Sequence, residues 1–562
     1  MKLKSLLLFI FLICIAAFLR LYKLSSIPPG LSQDETSIGY NAYAILQTGK
    51  DEHGVSYPQN FKAFGEYKLP GYIYLSTIPI AFLGPTPLAV RLPSAVLGVF
   101  TVLLMYFLVK ELFSRINDTL PLIATALLAI NPWHLHLSRG AFEVTVALFF
   151  ITFAFLLWLI AKRRSSALFI GLSILFFALA GYTYNIARLL APLSLVFLFI
   201  TSYQSMKQFR IGSWIIIAIF GICSFAPMAI GMVQNGGVSS TSGTMMWSSA
   251  YVQAPLLEWR SYFSSWPITI TRILFNKPLL TFVQWLQNVI NFFSPTFFFT
   301  MGSLHGNHGI GTVGQWYLFE TVTIILGIIY GLKKKIHSLI GFWIITTIAI
   351  VALTRESPHA TRAFFIVIPV TILSALGIIS LYTYISTLKS KYIKTLTYLF
   401  IIGICLYQIF SYFASYYVRF PILYAKPWRV GDKDVSLYIK NHESKYDKII
   451  IDDKCGFMYS SLVYYLAYPP IEFQRDAKWN RDDSEGFSFP NRFGKYEFRA
   501  VNWNDDLNYP RTLIVTSHDQ KPPDVPLLKT FYYPQRPVVF AVGQQIMQYP
   551  IADISYVLVE KK

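Results

Sequence analysis

The chain has 562 residues, 54% hydrophobic, 17% aromatic and only 14% charged. Soluble domains carry about a quarter charged residues, so an ordinary soluble domain is excluded and an integral membrane protein is expected. Against 29 Asp and Glu stand 48 Lys and Arg, a net charge of +19. In so apolar a chain this reads as basic cytoplasmic loops plus an anionic ligand, with no nucleic-acid partner.

The first element is an apolar run from Ser5 to Leu19 behind Lys2 and Lys4. It resembles a signal peptide, but the run is long and no small-x-small cleavage pattern precedes Arg20 and Lys23, so a retained first transmembrane helix is expected. Further apolar runs follow at about 88–113, 120–137, 143–161, 166–183, 189–203, 211–232, 316–332, 337–353, 362–386 and 395–413. Each approaches the roughly 20 residues that cross a bilayer. The stretch KLPGYIYLSTIPIAFLG (68–84) is short and carries Pro70, Pro79 and two glycines. Leaving it on the outer surface puts Lys110/Arg115, Lys162–Arg164, Lys207/Arg210, Lys333–Lys335 and Lys389/Lys391/Lys394 all inside. The positive-inside rule therefore predicts about 11 spanning helices, an inside N-terminus and an outside C-terminus.

The expected fold class is a polytopic α-helical membrane protein with a C-terminal extracytoplasmic α/β domain. Its transmembrane domain covers 1–413, with outer loops at 23–87 and 233–315, and the α/β domain covers 414–562. In the latter, KDVSLYIKNHESKYDKIIIDD reads as an amphipathic helix running into a strand, and RTLIVTS and RPVVFAVG as further strands. The four cysteines, Cys14, Cys223, Cys405 and Cys455, are too scattered for a disulfide framework or a zinc site.

Polar residues gather in the outer segments. The first loop has Asp34, Glu35, Glu66 and Lys68, and Arg91 stands at the mouth of the second helix. NPWHLHLSRGAFEVT brings His134, His136, Arg139 and Glu143; GYTYNIARLL brings Tyr182, Tyr184, Asn185 and Arg188. TRESPHATRAF brings Arg355, Glu356, His359 and Arg362, and SLHGNHG brings His305 and His308. Ionisable groups at membrane depth are costly, so their convergence on one leaflet suggests a site. Structural alternatives stand beside that reading. Any single arginine here can be a snorkelling anchor, and Asp34, opening ETSIGYNAYAIL with Gly49 beyond it, can be a helix N-cap. His305 and His308 are close enough to share a metal, but no third ligand is evident, and no metal or cofactor is expected.

An exposed carboxylate among cations suits one chemistry in particular. The carboxylate removes a proton from an acceptor hydroxyl, while Lys, Arg and His hold a departing phosphate. A lipid-linked sugar phosphate presents such a leaving group at the membrane surface.

DETSIGYNAYAI, EYKLP, VRLPSAVLGVFTVLLMYFLVKELF, NPWHLHLSRGAFE and SPHATRAF together resemble the C-type glycosyltransferases, in particular the bacterial protein O-mannosyltransferase and aminoarabinose-transferase-like branch. The resemblance covers most of 1–410. It implies an inverting transferase using a polyprenyl-phosphate sugar, with Asp34 as the catalytic carboxylate and Glu35 its companion. It further implies Lys68, Arg91, Arg139, Arg188, His359 and Arg362 on the donor phosphate, and Glu66, Tyr184, Asn185, His305 and His308 as weaker substrate contacts. The family's Glu-Lys-Pro-Pro-like stretch is spaced differently here, as Glu66-Tyr67-Lys68-Leu69-Pro70. The acceptor is a protein, lipid or glycan hydroxyl. Two alternatives are a lipid-linked oligosaccharide flippase, disfavoured because the halves are dissimilar, and an oligosaccharyltransferase with a pyrophosphate donor. The acidic pairs that the latter would need, in RDD (481–483) and IDD (451–453), fall in the C-terminal segment.

Overall fold

In a computed structural model of the chain, the described residues are 3–113, 119–207, 209–234, 245–246, 249–303, 305–334, 338–480, 488–534, 536–542, 545–551 and 554–560. The acidic run 481–483 and parts of the 233–315 loop lie outside them. The chain divides into two units. The first comprises 1–20, 94–138 and 142–412; the second comprises 21–93, 139–141 and 413–562. The first outer loop, grouped with the helices in the sequence reading, thus clusters with the C-terminal segment.

Each of the eleven apolar runs carries a helix. Among the described residues, seven helices are long and apolar enough to cross a membrane: Leu3–Leu21, Pro87–Phe113, Glu143–Arg164, Ala187–Met206, Ile211–Gly231, Ala360–Ser386 and Lys391–Leu423. Leu120–Ile130, Ala167–Thr183 and Ser338–Val351 are shorter apolar helices, and Glu320–Lys333 has 14 residues. This is a multi-pass membrane protein. The run expected at 120–137 breaks at Asn131, whose side chain caps a new helix, Pro132–Leu137, by accepting from the His134 amide. Helix Pro70–Leu83 has 14 residues, about 21 Å of rise against a hydrocarbon thickness of about 30 Å.

In the first unit, Trp133, Trp158, Trp316 and Trp343 anchor the buried core. Helices Glu320–Lys333 and Val367–Ser386 cross at backbone contact. A Cβ on Gly327 would stand 1.8 Å from the Leu373 carbonyl oxygen, and one on Gly377 would stand 1.7 Å from that of Thr323. Small residues that let two backbones meet are the usual device for packing helices within a membrane.

The second unit is built on a seven-stranded mixed sheet. Lys448–Ile451 runs parallel to Tyr496–Phe498 on one side and Thr512–Thr516 on the other. Ile554–Glu560 lies antiparallel between Thr512–Thr516 and Lys529–Tyr532, and Pro490–Phe493 and Lys478–Trp479 extend the opposite edge. The expected helix and strands are present as Val430–His442, Lys448–Ile451, Thr512–Thr516 and Arg536–Val542. Helix Gln33–Thr48 packs on helix Met458–Leu466, and Gly39 makes that approach possible: a Cβ there would fall 2.3 Å from the Tyr464 ring.

Candidate active site

Asp34 and Glu35 sit on the first turn of helix Gln33–Thr48, and the turn separates them. The N-cap is Ser32, not Asp34. Ser32 Oγ accepts from the Glu35 amide at 3.3 Å, and the Glu35 carboxylate accepts from the Ser32 amide at 3.0 Å, a capping box. Glu35 is therefore turned inward and is 2% exposed. There it also accepts from Arg91 Nε at 2.8 Å, Arg91 Nη2 at 3.2 Å and the Ala141 amide at 2.9 Å. Successive helical residues diverge by about 100°, so Asp34 points away, and its side chain is 58% exposed.

Lys68 reaches it from a hairpin. Strands Phe61–Ala63 and Glu66–Lys68 pair with Phe61 opposite Lys68 and Ala63 opposite Glu66. The intervening Phe64 and Gly65 both have positive φ, 55° and 87°, as a two-residue hairpin turn of the mirror-image class requires. That register presents Lys68 Nζ to Asp34 Oδ1 at 2.5 Å. Glu66, two residues earlier, is exposed on the same strand.

Three residues expected at a substrate are committed to the protein itself. Arg91 is wholly buried and, besides binding Glu35, donates to the carbonyls of Leu24, Pro28 and Gly30. Its guanidinium also lies 5.5 Å from the Trp428 ring centre. Arg139, also wholly buried, donates to the Tyr22 and Ile27 carbonyls at 2.7 and 2.9 Å and lies 5.6 Å from the rings of both Tyr416 and Tyr417. Arg91 and Arg139 thus brace the 22–30 segment, and Glu35 is the anion between Arg91 and the helix cap.

The second unit holds a further acidic residue that sequence reading passed over. Glu52 is buried, and burial pushes its carboxyl up to about 8, against the opposing pull of an Asn41 amide bond at 3.0 Å and of the Lys68 charge. Asn41 and Glu52 are joined reciprocally, the Glu52 amide donating to Asn41 Oδ1 at 3.0 Å. Its neighbour Asp51 is shifted the same way by burial, and burial lowers His53 to about 4. Only position in an unlabelled loop marked Glu52, which is why it was missed.

In the first unit Glu356, His305, His359 and Arg362 form a cluster. Glu356 Oε2 lies 3.4 Å from His305 Nε2, 3.6 Å from His359 Nε2 and 3.7 Å from Arg362 Nη2. The His308 ring centre is 5.0 Å from that of His359. His359 is buried, and that burial, followed by the Arg362 charge, pushes its imidazole well below the usual range. Tyr184 donates to Thr361 Oγ1 at 3.1 Å, and Thr361 Oγ1 lies 3.1 Å from His359 Nδ1. Asn185 and Arg188 are half-buried on the adjoining turn, with Arg188 Nε donating to the Gly181 carbonyl. His134 and His136 serve the fold: the first meets Arg20 Nη2 at 2.7 Å and the second the Asn307 carbonyl at 2.9 Å. Leu175, Leu179, Tyr182, Ile219, Phe220 and Cys223 line an apolar groove of about 330 Å³ in the same unit.

No protein-family model and no curated protein sequence matches the chain. Solved structures do. ArnT from Cupriavidus metallidurans, bound to undecaprenyl phosphate, superposes with a TM-score of 0.51 at 10% identity over 100% of this chain and 98% of its own. Its apo form gives 0.51 at 11% identity over 99% and 97%. The fold is that of the C-type glycosyltransferases. The Archaeoglobus fulgidus oligosaccharyltransferase AglB, solved with an inhibitory peptide and a dolichol-phosphate, gives 0.47 at 14% identity and covers 83% of this chain. The chain spans only 64% of the length of that enzyme.

Proposed function

We propose that this C-type chain is an inverting glycosyltransferase, moving a sugar from a polyprenyl-monophosphate carrier to an acceptor hydroxyl at the outer face of the cytoplasmic membrane. The observation that carries the reading is the division of labour between adjacent carboxylates: Glu35 is locked into the fold, while Asp34 is exposed and pairs with the Lys68 ammonium. The likeness to an ArnT structure bound to undecaprenyl phosphate supports the choice of donor.

In this reading the donor phosphate competes for Lys68 and releases the Asp34 carboxylate to the acceptor. Asp34 takes the hydroxyl proton as the acceptor oxygen attacks the anomeric carbon. The bond from that carbon to the phosphate oxygen breaks, its electron pair leaves with the phosphate, and the centre inverts. Lys68 meets the charge that develops. Arg188 and Arg362, in the first unit, are kept as candidate contacts for an anionic ligand, and the groove beside Tyr182 suits a hydrocarbon chain. The acceptor is a protein, lipid or glycan hydroxyl, and the sugar a hexose or pentose.

Asp34→Asn tests the proposal. General-base catalysis is worth roughly 10²- to 10⁴-fold, so transfer from a polyprenyl-phosphate sugar should fall by that factor. Asp34 is the exposed end of its ion pair, and pairs open to solvent contribute only about 0–1 kcal/mol, so thermal unfolding should move little. Transfer at close to the wild-type rate would remove Asp34 from the chemistry.

A further inference from the structure

The cluster at Glu356 has the geometry of a metal site. Two ligands bound to zinc at about 2.0–2.1 Å in a tetrahedral arrangement lie roughly 3.3–3.4 Å apart. The Glu356 carboxylate stands 3.4 Å from His305 Nε2 and 3.6 Å from His359 Nε2, and the three ligand atoms all fall within 4.8 Å of one another. Closing the remaining edge asks only for a small movement of His305, whose side chain is half exposed.

The surroundings of His359 favour the same use. A histidine ligand presents one ring nitrogen to the metal and gives the other N–H to a fixed acceptor. Here Nδ1 lies 3.1 Å from Thr361 Oγ1, and that hydroxyl is itself held by Tyr184 at 3.1 Å. With Nδ1–H given to Thr361, the lone pair is on Nε2, the atom facing Glu356. Two imidazoles and one carboxylate suit zinc and its transition-metal neighbours, whereas magnesium and calcium call for oxygen ligands. Arg362 is at 3.7 Å from the shared oxygen, beyond hydrogen-bond reach, and instead donates to the Glu356 carbonyl.

We propose that His305 Nε2, Glu356 and His359 Nε2 bind one zinc-class divalent cation, leaving a fourth position open to water or an anionic oxygen. The site joins the 302–314 segment to the 354–362 segment within the first unit. It was illegible in the sequence because its ligands are separated by about 50 residues, and the expectation of no metal rested on the missing third ligand.

The test needs neither donor nor acceptor, so it stands or falls apart from the transfer reading. Full-length protein in detergent is stripped with a chelator, equilibrated with zinc, passed through gel filtration and assayed for metal by elemental analysis. A parallel sample takes cobalt, whose tetrahedral complexes absorb strongly in the visible. Wild type and a His442→Ala control should retain one equivalent and show the cobalt bands. His305→Ala and the isosteric Glu356→Gln should lose both while eluting as wild type does. Thr361→Val should weaken zinc binding by about 10- to 100-fold, the usual cost of removing a partner of a histidine ligand. Absence of zinc from wild-type protein, or full retention by a His305→Ala/His359→Ala double variant, overturns the proposal.

Discussion

Neighbouring carboxylates usually invite one explanation for both, but burial assigns Asp34 and Glu35 to different tasks. Glu35 accepts from two backbone amides and both forks of Arg91, with every partner buried. Removing Arg91 would strand that charge inside the protein. Breaking a buried pair in this way costs about 3–5 kcal/mol, and the carbonyls of Leu24, Pro28 and Gly30 lose their donor as well. Arg91→Ala should therefore lower the thermal unfolding midpoint in detergent by many degrees and cut the yield of folded protein. Asp34→Asn, by contrast, should unfold where wild type does. An Arg91→Ala variant as stable as wild type would return that arginine to the list of substrate contacts. Sequence put Arg91 at the mouth of the second helix and Arg139 in the NPWHLHLSRGAFEVT segment, both as candidate donor-phosphate contacts. It did not show that they face inward, because an arginine at a helix mouth looks the same whether it meets phosphate or protein carbonyls.

At the level of elements, periodicity and composition carried most of the information. Among the described residues, runs of apolar residues marked all seven helices long enough to cross a membrane, since a run near 20 residues has few alternatives to a helix in a bilayer. Boundaries failed where one side chain decides them, as at Asn131, whose cap splits the 120–137 run in two. The hairpin presenting Lys68 was also hidden, because its turn is Phe64-Gly65 rather than a familiar Asn-Gly pair. Gly327 and Gly377 carry a meaning that only contact reveals. With Cβ positions below 2 Å from opposing carbonyl oxygens, Gly377→Ala has to push helices Glu320–Lys333 and Val367–Ser386 apart. That separation would also strain the Thr323–Ser374 hydroxyl bond of 2.8 Å and the Ser374–Glu320 bond of 3.1 Å. Overpacking costs typically 1–3 kcal/mol, and here rigid backbone is the obstacle, so the upper end is expected. The check is thermal unfolding against Gly341→Ala, a helical glycine with open space around its Cβ, which should be near neutral. Equal stability of the two variants would mean the crossing is looser than drawn.

For the molecule as a whole, the distribution of charge across the membrane is the remaining physical constraint. Moving lysine and arginine clusters across a bilayer during insertion is disfavoured, and their bias in short loops sets orientation. Helix Pro70–Leu83 is the pivot. Its 14 residues equal those of Glu320–Lys333 and Ser338–Val351, so length does not decide its course and the charges do: if it lies along the surface, Lys162–Arg164, Lys207, Lys333 and Lys334 all stay in the cytoplasm. If it crosses instead, every one of these moves outside. We therefore expect Lys334 inside and the sheet-bearing C-terminal segment, including Asn502, outside. Single cysteines at these two positions, in a background lacking Cys14, Cys223, Cys405 and Cys455, separate the two maps when intact cells meet a membrane-impermeant thiol reagent. The Asn502 site should label at once and the Lys334 site only after permeabilisation. Labelling of Lys334 but not Asn502 in intact cells would overturn this map and invert every segment that follows helix Pro70–Leu83.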